Sequence, residues 1–327
     1  MPSEPAQNTI QYISSAPANV MIMGEHSVVY GQPALVASLI PRIYIEWSPR
    51  DDQQLEIISE LAHFTTSLNK IEDHPKLRFV LAALKAFTPQ LSQGWTLRIH
   101  SEFPDDWGLG SSAAVLAACL VGLESISQQA LTTWQRFEIG HRCILDIQGR
   151  GSGADLAASL SGGLVYFDPS HQVIQPIKIP LDVCLVYSGY KTPTSEVLAH
   201  VAQTWADRPE TLEKLYQQMG DCTRTAYEVL MQTHSAQDLA FYQQIKHYQQ
   251  LMIKLGVSDP TLDAIIHQLN ECLPAAKISG SGLGDCVIGF GHIDALPPYK
   301  IMNTRISSRP AECIPQPTTN HQPKVTL

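Results

Sequence analysis

The chain has 327 residues, of which 44% are apolar and 16% are charged, and its formal net charge is −9. This length and balance predict two packed lobes with a cleft between them and exclude a wholly disordered or fibrous protein. The negative charge, without any cluster of lysine and arginine, argues against nucleic acid as a partner.

The N-terminus and the cysteines bear on location. Residues 1–9 lack a basic stretch followed by an apolar one, and no apolar run reaches the length of a membrane span. The seven cysteines include no CxxC pair, and most lie in apolar runs, which is typical of buried thiols in a reducing compartment. We therefore predict a cytoplasmic protein with no membrane association, and leave a homodimer open.

Residues 16–31 predict a buried apolar strand that ends in a polar cluster. Glu25 and His26 follow the end of this strand, a position from which they reach a substrate hydroxyl or carboxylate. The alternative is structural, with His26 satisfied in a turn and Glu25 as its partner. The residues alone leave both interpretations open.

The next elements are strands and helices of an N-terminal lobe. Apolar and polar residues alternate over 43–48 and over 95–100, which predicts two half-buried strands. Residues 75–87 have apolar side chains at helical spacing, and residues 111–123 are rich in alanine and leucine, so both segments predict helices.

A glycine-bearing loop, residues 104–114, runs from the second of these strands directly into the helix at 111. Such a loop turns the free amides of a helix N-terminus toward an anion, and phosphate is the natural guest. The hydroxyls of Ser111 and Ser112 are placed to ligate a Mg²⁺ that bridges two phosphates. The structural alternative is a tight turn in which Ser111 only caps the helix.

Two more glycine-rich loops follow. Residues 149–153 lead into a helical stretch and place Asp155 in its first turn. There Asp155 either complements the helix dipole or orients, and accepts the proton from, a hydroxyl that attacks the γ-phosphate of a nucleotide. The glycines of residues 278–286 either let the two lobes approach each other, or a phosphate, closely, or they form a glycine-rich hairpin.

The composition shifts after Gly163, and we place a domain boundary near residue 180. Residues 183–187 predict a buried strand, the chain is mainly helical from Ser195 onward, and Asp259 followed by Pro260 predicts a helix start. The expected organisation is an N-terminal lobe at 1–180, a C-terminal lobe at 181–309 and an irregular tail at 310–327, where prolines recur among polar residues.

Together the glycine-bearing segments resemble the GHMP kinases, over nearly the whole chain up to about Phe290. Residues 104–114 match PxxxGLGSSAA without a gap, and residues 24–34 are similar to the GEHAVVYGxPA motif of the mevalonate kinases within that superfamily. The resemblance implies an α+β fold with an N-terminal nucleotide-binding lobe and a C-terminal ferredoxin-like lobe. It also implies transfer of the γ-phosphate of ATP, with Mg²⁺, to the 5-hydroxyl of mevalonate, a small-molecule alcohol.

The same resemblance implies roles for individual residues. Asp155 would be the catalytic aspartate, Asn19 would occupy a second catalytic position, and Ser112 would bind Mg²⁺. The residues expected at the ATP phosphates are Gly108, Leu109, Gly110, Ser111, Ser112 and Ala113. Those expected at the substrate are Glu25, His26, Ser152, Gly280, Ser281 and Gly282.

Some positions depart from the mevalonate kinase pattern. Asn19 stands where those kinases usually have a lysine, so it donates a hydrogen bond but supplies no charge. Ile144 stands where a glutamate that helps hold Mg²⁺ is expected, and the helical offset of Asp146 points that carboxylate elsewhere. Lys191 is either a replacement cation from the C-terminal lobe or a solvated loop lysine.

Alternatives to a mevalonate kinase follow from these departures. Residues 151–158 and 282–286 are more similar to the loops of phosphomevalonate kinases, so a phosphorylated acceptor stays open. Asn19 and Ile144 lack the charges expected at their positions, which also fits a ligand-binding or regulatory protein that kept the kinase fold and lost most of its catalytic chemistry. Hydrolases and zinc enzymes are unsupported, because the sequence has no G-x-S-x-G elbow and no HExxH or paired His/Cys spacing.

Overall fold

The computed structural model describes residues 10–105 and 107–317. Up to residue 177 the elements are β1 (Tyr12–Met23), β2 (Ala34–Pro49), β3 (Gln54–Ile58), β4 (His63–Ser67), α1 (Arg78–Phe87), β5 (Trp95–Ser101), α2 (Ser111–Ile126), α3 (Thr133–Gln148), α4 (Ala154–Ser161), β6 (Leu164–Asp168) and β7 (Val173–Ile177). Beyond it they are β8 (Asp182–Tyr187), α5 (Thr194–Thr204), α6 (Pro209–Thr233), α7 (Leu239–Leu255), α8 (Pro260–Cys272), β9 (Ala276–Ser279), β10 (Cys286–Gly289), β11 (Lys300–Arg305) and β12 (Glu312–Pro315).

These strands form two sheets, one for each lobe. The N-terminal sheet has eight strands in the order β12-β1-β2-β5-β3-β4, with β6 paired to β2 and β7 paired to β6. The C-terminal sheet has four antiparallel strands in the order β11-β8-β10-β9. The chain leaves the first sheet after Ile177 and enters the second at Asp182. Helices α2 and α4 pack on the first sheet, α1 and α3 pack against those helices, and α7 and α8 pack on the second sheet.

Local sequence signals account for most of these elements. The alternating segments at 43–48 and 95–100 lie in β2 and β5, as predicted. Helix α2 buries most of its residues, which explains why its sequence is apolar on every side. Asp259 caps α8 as expected, because its Oδ1 accepts hydrogen bonds from the amides of Thr261 at 2.9 Å and Leu262 at 3.1 Å.

The C-terminal tail corrects one prediction. Residues 312–315 are not irregular but form β12, which pairs with β1 at the edge of the N-terminal sheet. The buried guanidinium of Arg42 donates hydrogen bonds to the carbonyls of Arg309 at 3.2 Å and Pro310 at 2.8 Å, and so holds the returning chain beside β1. Pro315 is compatible with this arrangement because an edge strand does not need every amide. The rest of the predicted tail, residues 318–327, lies outside the described residues.

Two expectations from composition can be compared with the structure. All seven cysteines are free, and Cys119, Cys143, Cys184, Cys222 and Cys286 are buried, as predicted for structural thiols. Across residues 10–105 and 107–317, no helix combines the length and apolarity that crossing a bilayer requires.

Candidate active site

The glycine-rich loops of the two lobes meet around one cavity of about 410 Å³. The predicted residues that line it are Gly108, Leu109, Gly110, Ser111, Ser112, Ala113, Ser152, Asp155, Gly280 and Ser281. A larger cavity, of about 880 Å³, lies between α1 and α3 and contains none of these residues. The structure therefore brings loops that are distant in sequence into one site, as the sequence predicted.

The N-terminus of α2 opens into this cavity without a side-chain cap. Gly110 is the N-cap residue, with φ of 65° in the left-handed region, and a Cβ there would lie 2.2 Å from the side-chain nitrogen of Asn19. The Ser111 hydroxyl is buried and has no hydrogen-bond partner, so Ser111 does not cap the helix. Uncapped first-turn amides beside an unpartnered hydroxyl form a site suited to a phosphate.

Helix α4 presents a second N-terminus to the same cavity, and its N-cap residue, Gly153, has no side chain to cap it. The Ser152 hydroxyl accepts a hydrogen bond from the amide of Ala154 at 3.2 Å, which leaves the following first-turn amides without a side-chain partner. Asp155 lies in the first turn of α4, lines the cavity and is exposed to it. Desolvation by the protein around the cavity raises the pKa of Asp155 to about 6, and the negative charge of nearby Glu25 is the second cause. A carboxylate with this pKa is suited to accept a proton near neutral pH.

A buried ion pair lies directly behind this site. Lys277 on β9 contacts Oε1 of Glu25 and the carbonyl of Ile278, and the side chains of Lys277 and Glu25 are 0% and 2% exposed. The hydroxyl of Tyr248 on α7 donates to the Glu25 carbonyl at 3.1 Å and accepts from the Gly24 amide at 2.9 Å. Two residues of the C-terminal lobe therefore fix the turn that follows β1.

His26 joins the same turn to the third glycine-rich loop. Its Nε2 lies 2.8 Å from the carbonyl oxygen of Ser281, and because a carbonyl only accepts, Nε2 carries the proton. Burial lowers the pKa of His26, so the ring is neutral and its buried Nδ1, which has no partner, is a bare acceptor. His26 holds this position at a φ of 61°, which non-glycine residues rarely adopt.

The predicted substrate contact of Glu25, His26 and Gly282 stays a prediction, because none of the three lines the cavity directly. Glu25 and His26 are buried and are not among the described residues that line the cavity. Lys277 and the Ser281 carbonyl bind their polar ends, and so hold both side chains one layer behind the wall. Gly282 also lies behind it, where its backbone packs on Val257.

Asn19 is buried and hydrogen-bonded beneath the phosphate loop. Its side chain is 1% exposed and donates from Nδ2 to the Ser159 hydroxyl at 2.9 Å, while its amide donates to the carbonyl of Leu109 at 3.1 Å. These bonds hold it under the loop that carries Gly110, away from the described lining of the cavity. Asn19 therefore supports the loop that carries Gly110, and its catalytic position stays a prediction.

The carboxylates around the cavity differ from the expected metal ligands. Ile144 lines the cavity, as the resemblance to the mevalonate kinases implied. Asp146 lines the separate cavity between α1 and α3, as its helical offset predicted. Asp105 and Asp285 also line the site. Within the described part of the chain, no group of three or more His, Cys, Asp or Glu side chains is arranged to hold a metal ion by itself.

Sequence reasoning missed Lys277 and Tyr248 and gave Asp285 no individual role. One signal for Lys277 was present, because it is the only charged residue in the apolar run Ala275 to Ile278. A lone lysine in a buried strand needs a charged partner. Asp285 adopts a φ of 63° within the third glycine-rich loop, and this conformation was not apparent from the sequence.

Comparisons with known proteins agree with this geometry. Residues 78–163 match the family model of the GHMP kinases N terminal domain, and residues 234–295 match that of the GHMP kinases C terminal domain. The mevalonate kinase of Archaeoglobus fulgidus is 31% identical over 279 residues, which cover 85% of this chain and 92% of that protein. The chain belongs to the GHMP kinase family. It is thus a small-molecule kinase, and ATP use follows from the family.

Solved structures show the same fold. The mevalonate kinase of Methanococcus jannaschii superposes on this GHMP kinase with a TM-score of 0.76 at 21% identity, covering 92% of this chain and 99% of that one. The phosphomevalonate kinase of Streptococcus pneumoniae, in complex with phosphomevalonate and AMPPNP, gives 0.72 at 18% identity and covers 86% and 92%. The predicted α+β fold with N- and C-terminal GHMP kinase domains is confirmed.

Proposed function

We propose that this GHMP kinase phosphorylates the 5-hydroxyl of mevalonate with ATP. The observation that carries the proposal is the position of Asp155, a carboxylate at one uncapped helix N-terminus in a cavity that a second uncapped helix N-terminus also enters. One end of such a cavity suits an anionic phosphate and the other a hydroxyl that must lose a proton. The curated relatives named mevalonate kinase indicate which alcohol fits.

The residues divide the reaction between them. The amides at the start of α2 bind and orient the phosphates, because they have no partners within the helix. The oxygen of the acceptor hydroxyl bonds to the γ-phosphorus while the bond from phosphorus to the β,γ-bridging oxygen breaks, and Asp155 accepts the proton of that hydroxyl. His26 and the Glu25–Lys277 pair keep the loops of both lobes in place around the reacting atoms.

A neighbouring cavity of about 500 Å³ is suited to the nucleoside of ATP. It shares Phe79, Asp105, Ser111 and Ser112 with the catalytic cavity, so a ligand there is continuous with the phosphate loop. Its walls are largely apolar and include the rings of Phe79 and Phe103, which suits a flat aromatic base. ATP would therefore extend from this cavity across the start of α2.

The residues also fit a Mg²⁺ ion that accompanies ATP. Ser112 is exposed at the cavity wall, and Ser111 offers a buried hydroxyl that has no other partner. When bound, Mg²⁺ neutralises charge on the β- and γ-phosphates. We propose Ser112 as its protein ligand, with further ligands supplied by the nucleotide and water, since Ile144 replaces the expected glutamate.

Charge favours mevalonate over phosphomevalonate as the acceptor. The charged side chains among the described residues lining the cavity are Asp105, Asp155, Asp285 and Lys191, three anions and one cation. A phosphorylated acceptor adds about two negative charges beside ATP and needs cations that this set does not supply. The loop Gly282 to Cys286 still favours phosphomevalonate on sequence, so both acceptors are tested. A cytoplasmic location and a homodimer remain predictions.

The experiment is a coupled ADP-release assay on the purified protein with Mg-ATP, run in parallel with mevalonate, 5-phosphomevalonate, galactose and homoserine. We expect kcat/KM for mevalonate to exceed that for each of the others by at least about 100-fold. Preferential turnover of phosphomevalonate would replace the proposed acceptor. ATP binding with no turnover of any alcohol would favour the degenerate binding protein.

The pH dependence of the reaction follows from the raised pKa of Asp155. Its carboxylate form is the base, so activity is present above the folded-state pKa and is lost as pH falls through about 6. We expect log(kcat/KM) for mevalonate to fall with unit slope below that pH. Glu25→Gln removes the negative charge that is the second cause of the raised pKa of Asp155. In this variant, kcat/KM should therefore begin to fall at a lower pH than in the unsubstituted enzyme. A profile that is flat down to pH 5 in the unsubstituted enzyme would contradict this role.

A further inference from the structure

The catalytic cavity contains too little positive charge for its reaction. Transfer of a γ-phosphoryl group spreads negative charge over its oxygens, and kinases place a cation there. The position at which the family pattern has a lysine is Asn19, whose side chain is buried and bonded to Ser159. Among the described residues that line the cavity, Lys191 alone is positively charged.

Lys191 lies opposite the phosphate loop. Its Nζ is 3.2 Å from Oδ1 of Asp285. The Asp285 carboxylate in turn packs against the loop, since a Cβ added to Gly108 would lie 3.5 Å from its Cγ. This chain of contacts places a C-terminal-lobe ammonium beside the loop that we propose binds the ATP phosphates.

The backbone that carries Lys191 is fixed on both sides. The Asp285 amide donates to the carbonyl of Tyr190 at 2.9 Å, and the Thr192 hydroxyl donates to the carbonyl of Leu283. The ammonium end is not fixed in the same way, because the Lys191 side chain is 41% exposed. The Asp285 side chain is only 10% exposed, so the exposed ammonium can bind a phosphate oxygen on its open side while it stays near that carboxylate.

We propose that Lys191 is the cation that binds the transferred phosphoryl group and takes the place of the lysine that Asn19 replaces. This inference rests on the proposed kinase function. Without nucleotide, the ammonium pairs with Asp285; with ATP, it binds the γ-phosphate oxygens. Lys191 moves no proton. It neutralises charge while the acceptor oxygen–phosphorus bond forms, the bond to the bridging oxygen breaks and Asp155 takes the proton.

The test compares Lys191→Met, Lys191→Arg and Asp285→Asn with the unsubstituted enzyme. Lys191→Met should lower kcat about 10² to 10³-fold, the loss typical of one stabilising group at developing charge. It should also weaken binding of a non-hydrolysable ATP analogue about 10-fold while ADP affinity changes less than about 3-fold, since ADP lacks the γ-phosphate. Lys191→Arg, which keeps the charge, should recover part of kcat.

Two controls separate this role from a structural one. Lys254→Met removes an exposed lysine on α7, which borders a different cavity, and should leave both affinities and kcat unchanged. Asp285→Asn breaks the ion pair but keeps the ammonium, so its kcat should stay at least about 10-fold above that of Lys191→Met. If Asp285→Asn and Lys191→Met lowered kcat equally, the ion pair rather than the cation would matter, and the proposal would be overturned.

The nucleotide affinities separate this inference from the proposed function. If the unsubstituted enzyme turned over none of the alcohols, the mevalonate proposal would fail. A loss of affinity in Lys191→Met for the ATP analogue, but not for ADP, would still support the γ-phosphate contact. Equal weakening of ATP analogue and ADP, or kcat within 2-fold of the unsubstituted enzyme, would overturn the assignment of Lys191.

Discussion

Asp155→Asn should lower kcat about 10² to 10⁴-fold while the fold is retained. The amide keeps the size of the side chain and removes its ability to take the hydroxyl proton. Because Asp155 lies at the start of α4, rather than within the phosphate loop of α2, affinity for the ATP analogue should change by less than about 5-fold. Steady-state kinetics with mevalonate and direct measurement of nucleotide binding check both parts.

Asp146→Asn is the matched control for this substitution. It makes the same change on α3, and its side chain lines the cavity between α1 and α3 instead of the catalytic one. Its kcat should stay within about 2-fold of the unsubstituted enzyme, as expected for a surface substitution. Retained turnover in Asp155→Asn would remove this carboxylate from the proposed chemistry.

Lys277→Met should lower the free energy of unfolding by about 3 to 5 kcal/mol. Both members of the Lys277–Glu25 pair are almost fully buried, so the substitution leaves an uncompensated carboxylate in the interior. Burial itself lowers the pKa of Lys277, and the charge of Glu25 opposes that shift. Equilibrium urea unfolding measures the loss, with the slope of the unfolding free energy against urea as a check that the unfolded state is unchanged.

The double variant Glu25→Gln/Lys277→Met tests whether the ion pair is the cause. Removing both charges should restore most of the lost stability, because buried pairs are often replaced by neutral groups without net loss. The measured coupling between the two sites should therefore be large. If the double variant were as unstable as the sum of the single variants, packing of the Lys277 side chain rather than its charge would explain the effect.

The parts of the site predicted from sequence are those formed by consecutive residues. Uncapped helix starts at Gly110 and Gly153 depend on glycine and on the residues next to it, so the sequence displays them directly. The same holds for the cap at Asp259. Local backbone chemistry of this kind predicts a phosphate site before any tertiary contact is known.

The parts that sequence reasoning did not predict depend on contacts between distant elements. The side chain of Asn19 bonds to Ser159 on α4, and an irregularity in the pairing of β1 with β2 lies between Pro17 and Asn19. Such an irregularity re-aims side chains in a way that periodicity does not reveal. The strand β12 was missed because its partner, β1, is separated from it by almost the whole chain.

The ion pair between Lys277 and Glu25 likewise could not be predicted from sequence, because its members are distant in the chain. They are 252 positions apart, and each is unremarkable in composition until the C-terminal lobe closes on the turn after β1. Lys191 and Asp285, by contrast, both lie in loops that the sequence marked, but only the fold shows that both side chains line the cavity and lie 3.2 Å apart. The sequence therefore identified the site's loops, and the fold determined which side chains they present.

The most direct measurement is identification of the product by ³¹P NMR after incubation with mevalonate and Mg-ATP. The proposed function predicts one ADP and one phosphate monoester per mevalonate consumed, with the phosphorus coupled to the protons of C5. Inorganic phosphate with unchanged mevalonate, or a product that forms only from 5-phosphomevalonate, would contradict it.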